Sequence, residues 1–267
     1  MDDLNQDTID RDIQTYYGSG FDEDARLTTR SAAGRVELIR SREIIESRIS
    51  TAARIADIGG GTGVHAKWLA ASGHEVTLLD PVPAQVERAA TDGSFEAVVG
   101  DARELPWDDR SFDVALLLGP LYHLATADDR HRALAEAVRV TRPGGWVFAA
   151  AIPRYVAFGA AWLGSPDPTL PSGLIRLLET GSHRFDQIRF PGAHFHTPDE
   201  LIAELTAAGM VDIVCEGVEG PAGIALEMHG NIDGDLLEPA LELARRFGPV
   251  PGVRDLSNHL LGWGRVR

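Results

Sequence analysis

The chain has 267 residues, 44% of them hydrophobic, which is enough to bury one full core. Glycine and proline are scattered through this ordinary apolar fraction, so a low-complexity chain, a collagen and a coiled coil are excluded. No apolar run approaches the roughly 20 residues of a membrane-spanning helix, and the acidic start lacks the features of a signal peptide.

The charge balance points away from polyanionic partners. The formal net charge of −15 repels phosphate backbones and anionic lipids, so we expect neither a nucleic acid nor a membrane as partner. The single cysteine, Cys215, cannot form an internal disulfide, which favours a reducing compartment. We therefore expect a cytoplasmic protein, present as a monomer or a homodimer.

Residues 1–50 have a helical pattern with a break near 18–20, and from residue 54 the pattern changes. Short apolar strands are predicted near 54–58, 75–79, 95–99, 112–118 and 146–152, and helices near 64–72, 83–90 and 128–140. Continuous apolar strands that alternate with helices are typical of a parallel sheet covered on both faces. The sequence therefore predicts an α/β fold.

A segment rich in proline, glycine and aromatic residues, 153–196, interrupts this alternation and is predicted to be a lid insertion. Its aromatic residues suit either an apolar, planar substrate or the packing of the lid on the core: Tyr155, Phe158, Trp162, Phe185 and Phe190. Regular structure resumes with a helix capped by Thr197 and Glu200, a strand near 210–218, a helix near 236–247 and a last strand near 260–266.

The predicted organisation has two parts. Residues 1–50 form a helical N-terminal segment that closes the substrate site, and residues 51–267 form the core. The core carries the lid insertion at about 153–196 and a helical insertion at about 219–255.

A glycine-rich turn follows the first predicted strand, between Ile55 and Gly63. Glycines let a ligand approach the backbone, and the helix that follows offers unpaired N–H groups. The spacing from Gly61 to Ala66, with Asp80 at the end of the next strand, also fits a dinucleotide-binding turn. On this turn alone, both an NAD(P)-dependent oxidoreductase and an enzyme that uses another nucleotide cofactor are possible.

Three further features of the sequence discriminate between these cofactors. Asp57 precedes the glycines, where a carboxylate would repel a pyrophosphate but suits an ammonium and a sulfonium. Gly100-Asp101-Ala102 follows the third strand, and Arg142-Pro143-Gly144-Gly145 links a helix to the fifth strand. Together these motifs resemble the class I S-adenosylmethionine-dependent methyltransferases over residues 54–152, with the resemblance resumed at 197–218 and in the last strand.

The resemblance implies a Rossmann-like sheet of seven strands, six parallel and one antiparallel, with helices on both faces. It also implies S-adenosylmethionine as cofactor and S-adenosylhomocysteine as product. Asp57 and the glycines would frame the methionine part, Asp80 the ribose hydroxyls, and Asp101 the adenine amino group. The cofactor-binding residues implied are Asp57, Gly59, Gly61, Gly63, Asp80, Pro81, Asp101, Ala102, Leu118, Gly119 and Tyr17, the last of which would serve equally in core packing.

The stretch Gly119-Pro-Leu-Tyr-His-Leu124 ends the fourth strand and resembles that of a bacterial group of small-molecule methyltransferases. Tyr122 and His123 are therefore expected near the transferred methyl group. His123 is the predicted general base, because an unperturbed imidazole titrates near neutrality, and its alternative role is to pack beside the site. The stretch does not match the Asn-Pro-Pro-Tyr sequence of base-amino methyltransferases, which further disfavours a nucleic-acid substrate.

His194 and His196 alternate on an extended segment and are expected to face the same side. Two imidazoles alone leave a metal under-ligated, and Cys215 offers no obvious third ligand, so no metal is predicted. A role in the substrate pocket and a role in the core both stay open for this pair.

The predicted activity is methyl transfer from S-adenosylmethionine to an oxygen or nitrogen atom of a small molecule by in-line displacement. An oxidoreductase would need a catalytic Tyr/Lys or His/Asp arrangement, and Lys67 is the only lysine of the chain. The other alternative is a non-catalytic module that keeps the cofactor-binding fold.

Overall fold

The computed structural model describes residues 5–18, 21–50, 52–156, 174–182, 191–229 and 236–267. Most of the predicted lid lies outside these ranges, including four of its aromatic residues, Phe158, Trp162, Phe185 and Phe190. Among the described residues, no helix combines the length and the hydrophobicity needed to cross a bilayer.

Seven strands form one sheet in the order β3-β2-β1-β4-β5-β7-β6. All neighbouring strands from β3 to β5 are parallel, and β7 runs antiparallel to both β5 and β6. The predicted mostly parallel α/β fold is therefore confirmed. The strands are β1 Arg54–Ile58, β2 Glu75–Asp80, β3 Glu96–Val99, β4 Phe112–Leu117, β5 Thr141–Ala151, β6 Met210–Gly217 and β7 Leu260–Val266.

Helices cover both faces of the sheet, because the central strands are apolar on both sides. Leu134 and Leu201 belong to the core on one face, and Ile45 and Leu69 to the core on the other. The helices are α1 Gln6–Gly18, α2 Glu23–Ala25 with its π-helical continuation Arg26–Arg30, α3 Ala32–Glu46, α4 Val64–Ala71, α5 Pro83–Ala90, α6 Ala127–Val140, α7 Leu174–Thr180, α8 Pro198–Ala207, α9 Gly223–His229 and α10 Leu237–Phe247.

Helix α8 begins as its sequence predicts. The Thr197 side chain accepts a hydrogen bond from the Glu200 backbone, and the Glu200 side chain accepts one from the Thr197 backbone. This capping box satisfies two of the donors that a helix start leaves unpaired.

Strand β5 begins earlier than its sequence predicts. Thr141 already pairs with Phe112, so the segment predicted to link a helix to this strand, 142–145, lies within the strand itself. The register shifts between Phe112 and Val114, and Gly144 adopts a φ of 78° that only glycine takes without strain.

The N-terminal helices pack on the rest of the chain. Val36 of α3 shares a buried apolar cluster with Leu226 of α9 and Leu241 of α10. Ile9 and Ile13 of α1 pack against Val82, beyond the end of β2. The division of the chain at residue 50 stays a prediction.

Candidate active site

A cavity of about 350 Å³ opens at the carboxyl ends of β1, β2 and β4, where ligands bind in open α/β sheets. Its walls also include residues of α1, α2, α3 and β7. All but one of the cofactor-binding and catalytic residues predicted from the sequence line it: Asp57, Gly59, Gly61, Asp80, Pro81, Asp101, Ala102, Leu118, Gly119, Tyr17, Tyr122 and His123. The exception is Gly63, which caps α4 next to the ring of Phe95.

The glycine turn presents bare backbone to this cavity. Gly59 has a φ of 74°, and a Cβ there would lie 2.7 Å from the Pro120 ring. Gly61 has a φ of 56°, and a Cβ there would meet no protein atom within 4 Å. The turn therefore needs glycine for its conformation, and beside Gly61 it leaves open space in which a ligand can contact the backbone.

Asp80 ends β2 with its carboxylate turned toward the glycine turn. Its Oδ2 accepts a hydrogen bond from Gly61 N at 2.9 Å, and its Oδ1 accepts one from Val82 N at 2.9 Å. Burial raises the pKa of Asp80 to about 6, against the opposing effect of these two bonds. Each oxygen keeps a second lone pair, so the carboxylate can still accept two hydroxyl groups.

Asp57 is 1% exposed at the end of β1. Burial and the nearby Asp80 carboxylate raise the pKa of Asp57 to about 7, although a hydrogen bond from the Ala66 backbone acts in the opposite direction. Its Oδ2 has no hydrogen-bond partner. An unpaired buried carboxylate oxygen is costly, and a cationic ligand in the cavity would relieve that cost.

These features fit S-adenosylmethionine, which carries an ammonium, a sulfonium and a ribose with two hydroxyls. The fit rests on the unpaired Asp57 oxygen, the open space beside Gly61 and the free lone pairs of Asp80. A pyrophosphate would meet two buried carboxylates instead, which disfavours a nicotinamide dinucleotide.

Asp101 is less available than the sequence suggests, because Arg103 holds both of its oxygens. The Arg103 Nη2 lies 2.6 Å from Asp101 Oδ2, and Nε lies 2.9 Å from Oδ1. Arg103 also binds Asp10 of α1 at 3.0 Å. Burial of Asp101 favours its neutral form, but the hydrogen bonds from Arg103 outweigh that effect and lower the pKa of Asp101.

Helix α1 is tied to this half of the cavity by further hydrogen bonds. Gln14 Nε2 donates to Pro81 O at 2.6 Å, and Gln85 Nε2 donates to Tyr17 O at 2.8 Å. Gln6 bonds both the His123 carbonyl and the Ala125 amide. The helix therefore covers the carboxyl ends of the strands.

His123 is engaged through both ring nitrogens. Its Nδ1 lies 2.9 Å from the Pro191 carbonyl oxygen, which can only accept, so Nδ1 carries the proton. Its Nε2 lies 3.2 Å from the Tyr17 hydroxyl, which is then the donor. Burial lowers the pKa of His123 to about 4, so the ring is neutral at pH 7.

Tyr122 lies next to His123, with ring centroids 4.7 Å apart. Its hydroxyl donates to the Leu118 carbonyl at 3.3 Å. Burial raises the pKa of Tyr122, so its hydroxyl stays protonated at neutral pH and acts as a hydrogen-bonding group.

The other half of the cavity is lined by a charge network that the sequence did not suggest. Arg26 makes two bonds to Glu37, at 2.6 and 2.9 Å, and also pairs with Glu23. His259 lies 2.6 Å from Glu219 and 3.5 Å from Glu37. Burial opposes charge on His259, but the carboxylates of Glu37 and Glu219 outweigh it and raise the pKa of His259 to about 9.

His65 also lines the cavity, on the first turn of α4. Burial and the charge of Arg42 lower the pKa of His65 to about 4, so it is neutral at pH 7. Its Nδ1 has no hydrogen-bond partner. His65 was not predicted as a site residue, although its position directly after the glycine turn is a signal in the sequence.

His194 and His196 do not line the cavity; both are buried beside α8. Cys215 is buried as well, and burial raises its pKa to about 12, which leaves the thiol uncharged. Neither the histidine pair nor the thiol contributes to the site described above.

Comparison with known proteins finds similarity in part of the core. Residues 56–149 match the model of a methyltransferase domain. An uncharacterized methyltransferase of Mycobacterium tuberculosis is 38% identical over 128 residues, 46% of this chain, and the chain spans about half (51%) of the length of that relative. A ubiquinone biosynthesis O-methyltransferase of Bordetella avium is 27% identical over 191 residues, covering 67% of this chain and 70% of that protein.

The fold extends this likeness beyond the matched segment. The crystal structure of an S-adenosylmethionine-dependent methyltransferase from Thermotoga maritima, described as a possible histamine N-methyltransferase, superposes with a TM-score of 0.63. The superposition covers 96% of this chain and 99% of that one at 17% sequence identity. At that identity, the likeness speaks for the fold alone.

Proposed function

We propose that the chain is a class I S-adenosylmethionine-dependent methyltransferase that transfers the methyl group of its cofactor to an oxygen or nitrogen atom of a small molecule, a proposal supported by the methyltransferase-domain match over residues 56–149. The observation that carries this proposal is the buried Asp57 carboxylate, whose unpaired Oδ2 lies against Gly60 of the glycine turn that lines the cavity. The net charge of −15 and the cover that α1 forms over the strand ends both favour a small acceptor over a nucleic acid.

In this proposal the cofactor is held mainly by the strand ends. Asp57 pairs with the ammonium group, Gly59 and Gly61 provide the close backbone approach, and Gly63 allows the turn to enter α4. Asp80 accepts the two ribose hydroxyls through its remaining lone pairs. The other residues of the proposed cofactor site are Pro81, Asp101, Ala102, Leu118, Gly119 and Tyr17, and Arg103 orients Asp101.

When bound, S-adenosylmethionine supplies a methyl carbon made electrophilic by its sulfonium. The task of the protein is then to align the acceptor, exclude water and remove a proton where the acceptor carries one. Tyr122 contributes a protonated hydroxyl at the end of β4. Its position beside Leu118 suits it to orient the acceptor.

Proton removal has two candidate residues. For His123, we propose a relay in which the Tyr17 oxygen takes the acceptor proton while the Tyr17 hydroxyl proton moves to His123 Nε2. His65, which also lines the cavity, offers a buried ring nitrogen, Nδ1, that has no hydrogen-bond partner. The low pKa of both rings means that each is present as the free base at neutral pH.

The first experiment is a thermal unfolding series with S-adenosylmethionine, S-adenosylhomocysteine, NAD and NADP added separately. A ligand at about 100 times its dissociation constant adds about 2.7 kcal/mol of stability, which shifts the midpoint measurably. We expect the first two ligands alone to stabilise the protein. Stabilisation by NAD or NADP alone would contradict the proposed cofactor.

The activity itself is tested by an acceptor screen with methyl-labelled cofactor, using phenols, quinols, primary amines and total tRNA in parallel. We expect label to appear in a small molecule and not in the tRNA. The His123→Ala and His65→Ala variants then separate the two bases, because loss of the true base lowers kcat while the affinity for S-adenosylhomocysteine stays unchanged.

A further inference from the structure

A buried cluster outside the cavity brings together two histidines and a glutamate. His194 and His196 are 5% and 0% exposed, and Glu204 reaches them from α8. One ligand atom of each of the three residues lies within 4.8 Å of the other two. The sequence pattern indicated the histidine pair but not this third group, which lies eight residues beyond His196.

The hydrogen bonds of the two rings place their lone pairs. His196 Nε2 lies 3.1 Å from Glu204 Oε2, and since a carboxylate only accepts, Nε2 carries the proton in the metal-free protein. A shift of that proton to Nδ1 frees the Nε2 lone pair, so that Nε2 and Oε2 can face the same ion. His194 Nδ1 lies 2.9 Å from the Ser182 hydroxyl. With Nδ1 donating to that oxygen, the lone pair of His194 lies on Nε2.

His194 Nε2 is buried without a hydrogen-bond partner, and so is His196 Nδ1, which would take up the proton displaced from Nε2. The two rings are edge to face with centroids 4.6 Å apart. An unsatisfied buried acceptor is costly in a protein interior, and a cation held by His194 Nε2, His196 Nε2 and Glu204 Oε2 would satisfy the one on His194.

We propose that His194, His196 and Glu204 form a binding site for a divalent transition-metal ion, with zinc as the best fit to two imidazoles and a carboxylate. The site is distinct from the cavity. Its role is structural, because the bound ion would link the segment 191–196 to α8. It leaves at least one coordination position for a water molecule. The proposal does not depend on the proposed methyltransferase activity.

The surrounding charges set the expected affinity. Arg130 binds Glu204 Oε1 at 2.8 Å and leaves Oε2 toward the histidines, and Arg154 pairs with Glu200 nearby. These cations keep the imidazoles neutral, as a ligand must be, but they also repel a dication. Two ligands on one zinc ion lie at most about 4.2 Å apart, so the donors must also close slightly on binding. We therefore expect micromolar rather than nanomolar binding.

The test uses the full chain without an affinity tag, stripped of metal with a chelator. Zinc is titrated by calorimetry and cobalt by its visible absorption, with one equivalent bound as the expected result. His194→Gln should weaken binding at least tenfold, and so should Glu204→Gln, whereas His131→Gln, at an exposed histidine of α6, should leave it unchanged. S-adenosylhomocysteine affinity is measured in parallel and should be the same in every variant.

Two results would overturn the proposal: no binding at 100 µM zinc by either method, or undiminished binding in both the His194 and Glu204 variants. If a variant fails to fold, the unaltered protein still decides the question. Imidazole ¹⁵N resonances of His194 Nε2 and His196 Nε2 should shift on zinc addition, and unchanged resonances at saturating zinc would exclude both nitrogens as ligands.

Discussion

The buried carboxyl groups in the two halves of the cavity have pKa values that are shifted in opposite directions. On the side of β1 and β2, two carboxylates stand close together, and burial raises the pKa values of both, with the Asp80 charge adding to the effect on Asp57. On the side of α2, α3 and β7, burial opposes ionisation of Glu37, but Arg26 and His259 outweigh it and lower the pKa of Glu37 to about 2.

This difference distinguishes the half of the cavity that is suited to bind a ligand from the half that supports its shape. A buried carboxylate without a partner lowers the stability of the protein. A cationic ligand that pairs with it removes this destabilisation and therefore binds more tightly. The Arg26–Glu37–His259–Glu219 network is complete without a ligand, so it shapes the wall of the cavity and contributes to stability. Four predictions test this contrast, in order of decreasing expected effect.

The largest effect is expected for Asp80→Ala on cofactor affinity. The substitution removes the proposed acceptor of both ribose hydroxyls, and hydrogen bonds to a charged group contribute about 1.5–3 kcal/mol each. We expect the Kd for S-adenosylhomocysteine, measured by calorimetry, to rise at least about 100-fold. Asp108→Ala, at an exposed acid, is the matched control. An unchanged Kd in the Asp80 variant would remove this residue from the proposed cofactor site.

The second prediction concerns stability. Glu37→Gln removes one charge of the network, and we expect the free energy of unfolding to fall by about 2–3 kcal/mol in urea denaturation. Removing one partner of a buried ion pair typically costs about 3–5 kcal/mol. The effect is smaller here because Arg26 remains paired with Glu23.

Glu87→Gln, at an exposed position of α5, should leave the stability unchanged. Cofactor affinity should stay within threefold in the Glu37 variant. A loss of affinity comparable to that of Asp80→Ala would mean that the network binds ligand directly, and the contrast between the two halves would be wrong.

The sequence predicted the first half of the cavity far better than the second. The glycine turn, Asp57 and Asp80 follow strands that are adjacent in the sheet, so their local pattern and the α/β periodicity suffice to bring them together. The register and the early start of β5 were not predicted, because they depend on the pairing of Thr141 with Phe112.

The second half depends on contacts between distant segments. Arg26, Glu37 and His259 come from α2, α3 and the start of β7, and no local pattern indicates that they meet. The prediction of His123 as a base likewise assumed an ordinary pKa. Its low pKa comes from burial under Tyr17 and the segment at Pro191, neither of which is near it in sequence.

The third prediction is a pH dependence of binding. With a pKa of about 7 in the free protein, Asp57 is protonated below pH 7, and it must lose that proton to pair with an ammonium. The Kd for S-adenosylhomocysteine should therefore rise about tenfold from pH 8 to pH 6, with a proton released on binding at pH 6. Calorimetry in two buffers of different ionisation enthalpy measures both quantities.

Asp57→Asn should bind weakly at every pH, with this dependence lost. A dependence that persists in the variant would assign it to another group, and Asp80, with its pKa of about 6, would be the next candidate.

The smallest effect is expected for Tyr17→Phe, at the contact between α1 and the site. The variant keeps the ring and loses one hydrogen bond to His123 Nε2, so we expect a stability loss of about 0.5–1.5 kcal/mol and a cofactor Kd within threefold. Tyr16→Phe is the neighbouring control, because the Tyr16 ring stacks on Phe21 with or without its hydroxyl. The difference between the two variants isolates the bond to His123. If kcat toward an identified acceptor falls more than tenfold in Tyr17→Phe alone, the hydroxyl carries the proton to His123. If kcat is equal in both variants, α1 acts only as a cover, and His65 becomes the remaining candidate for the base.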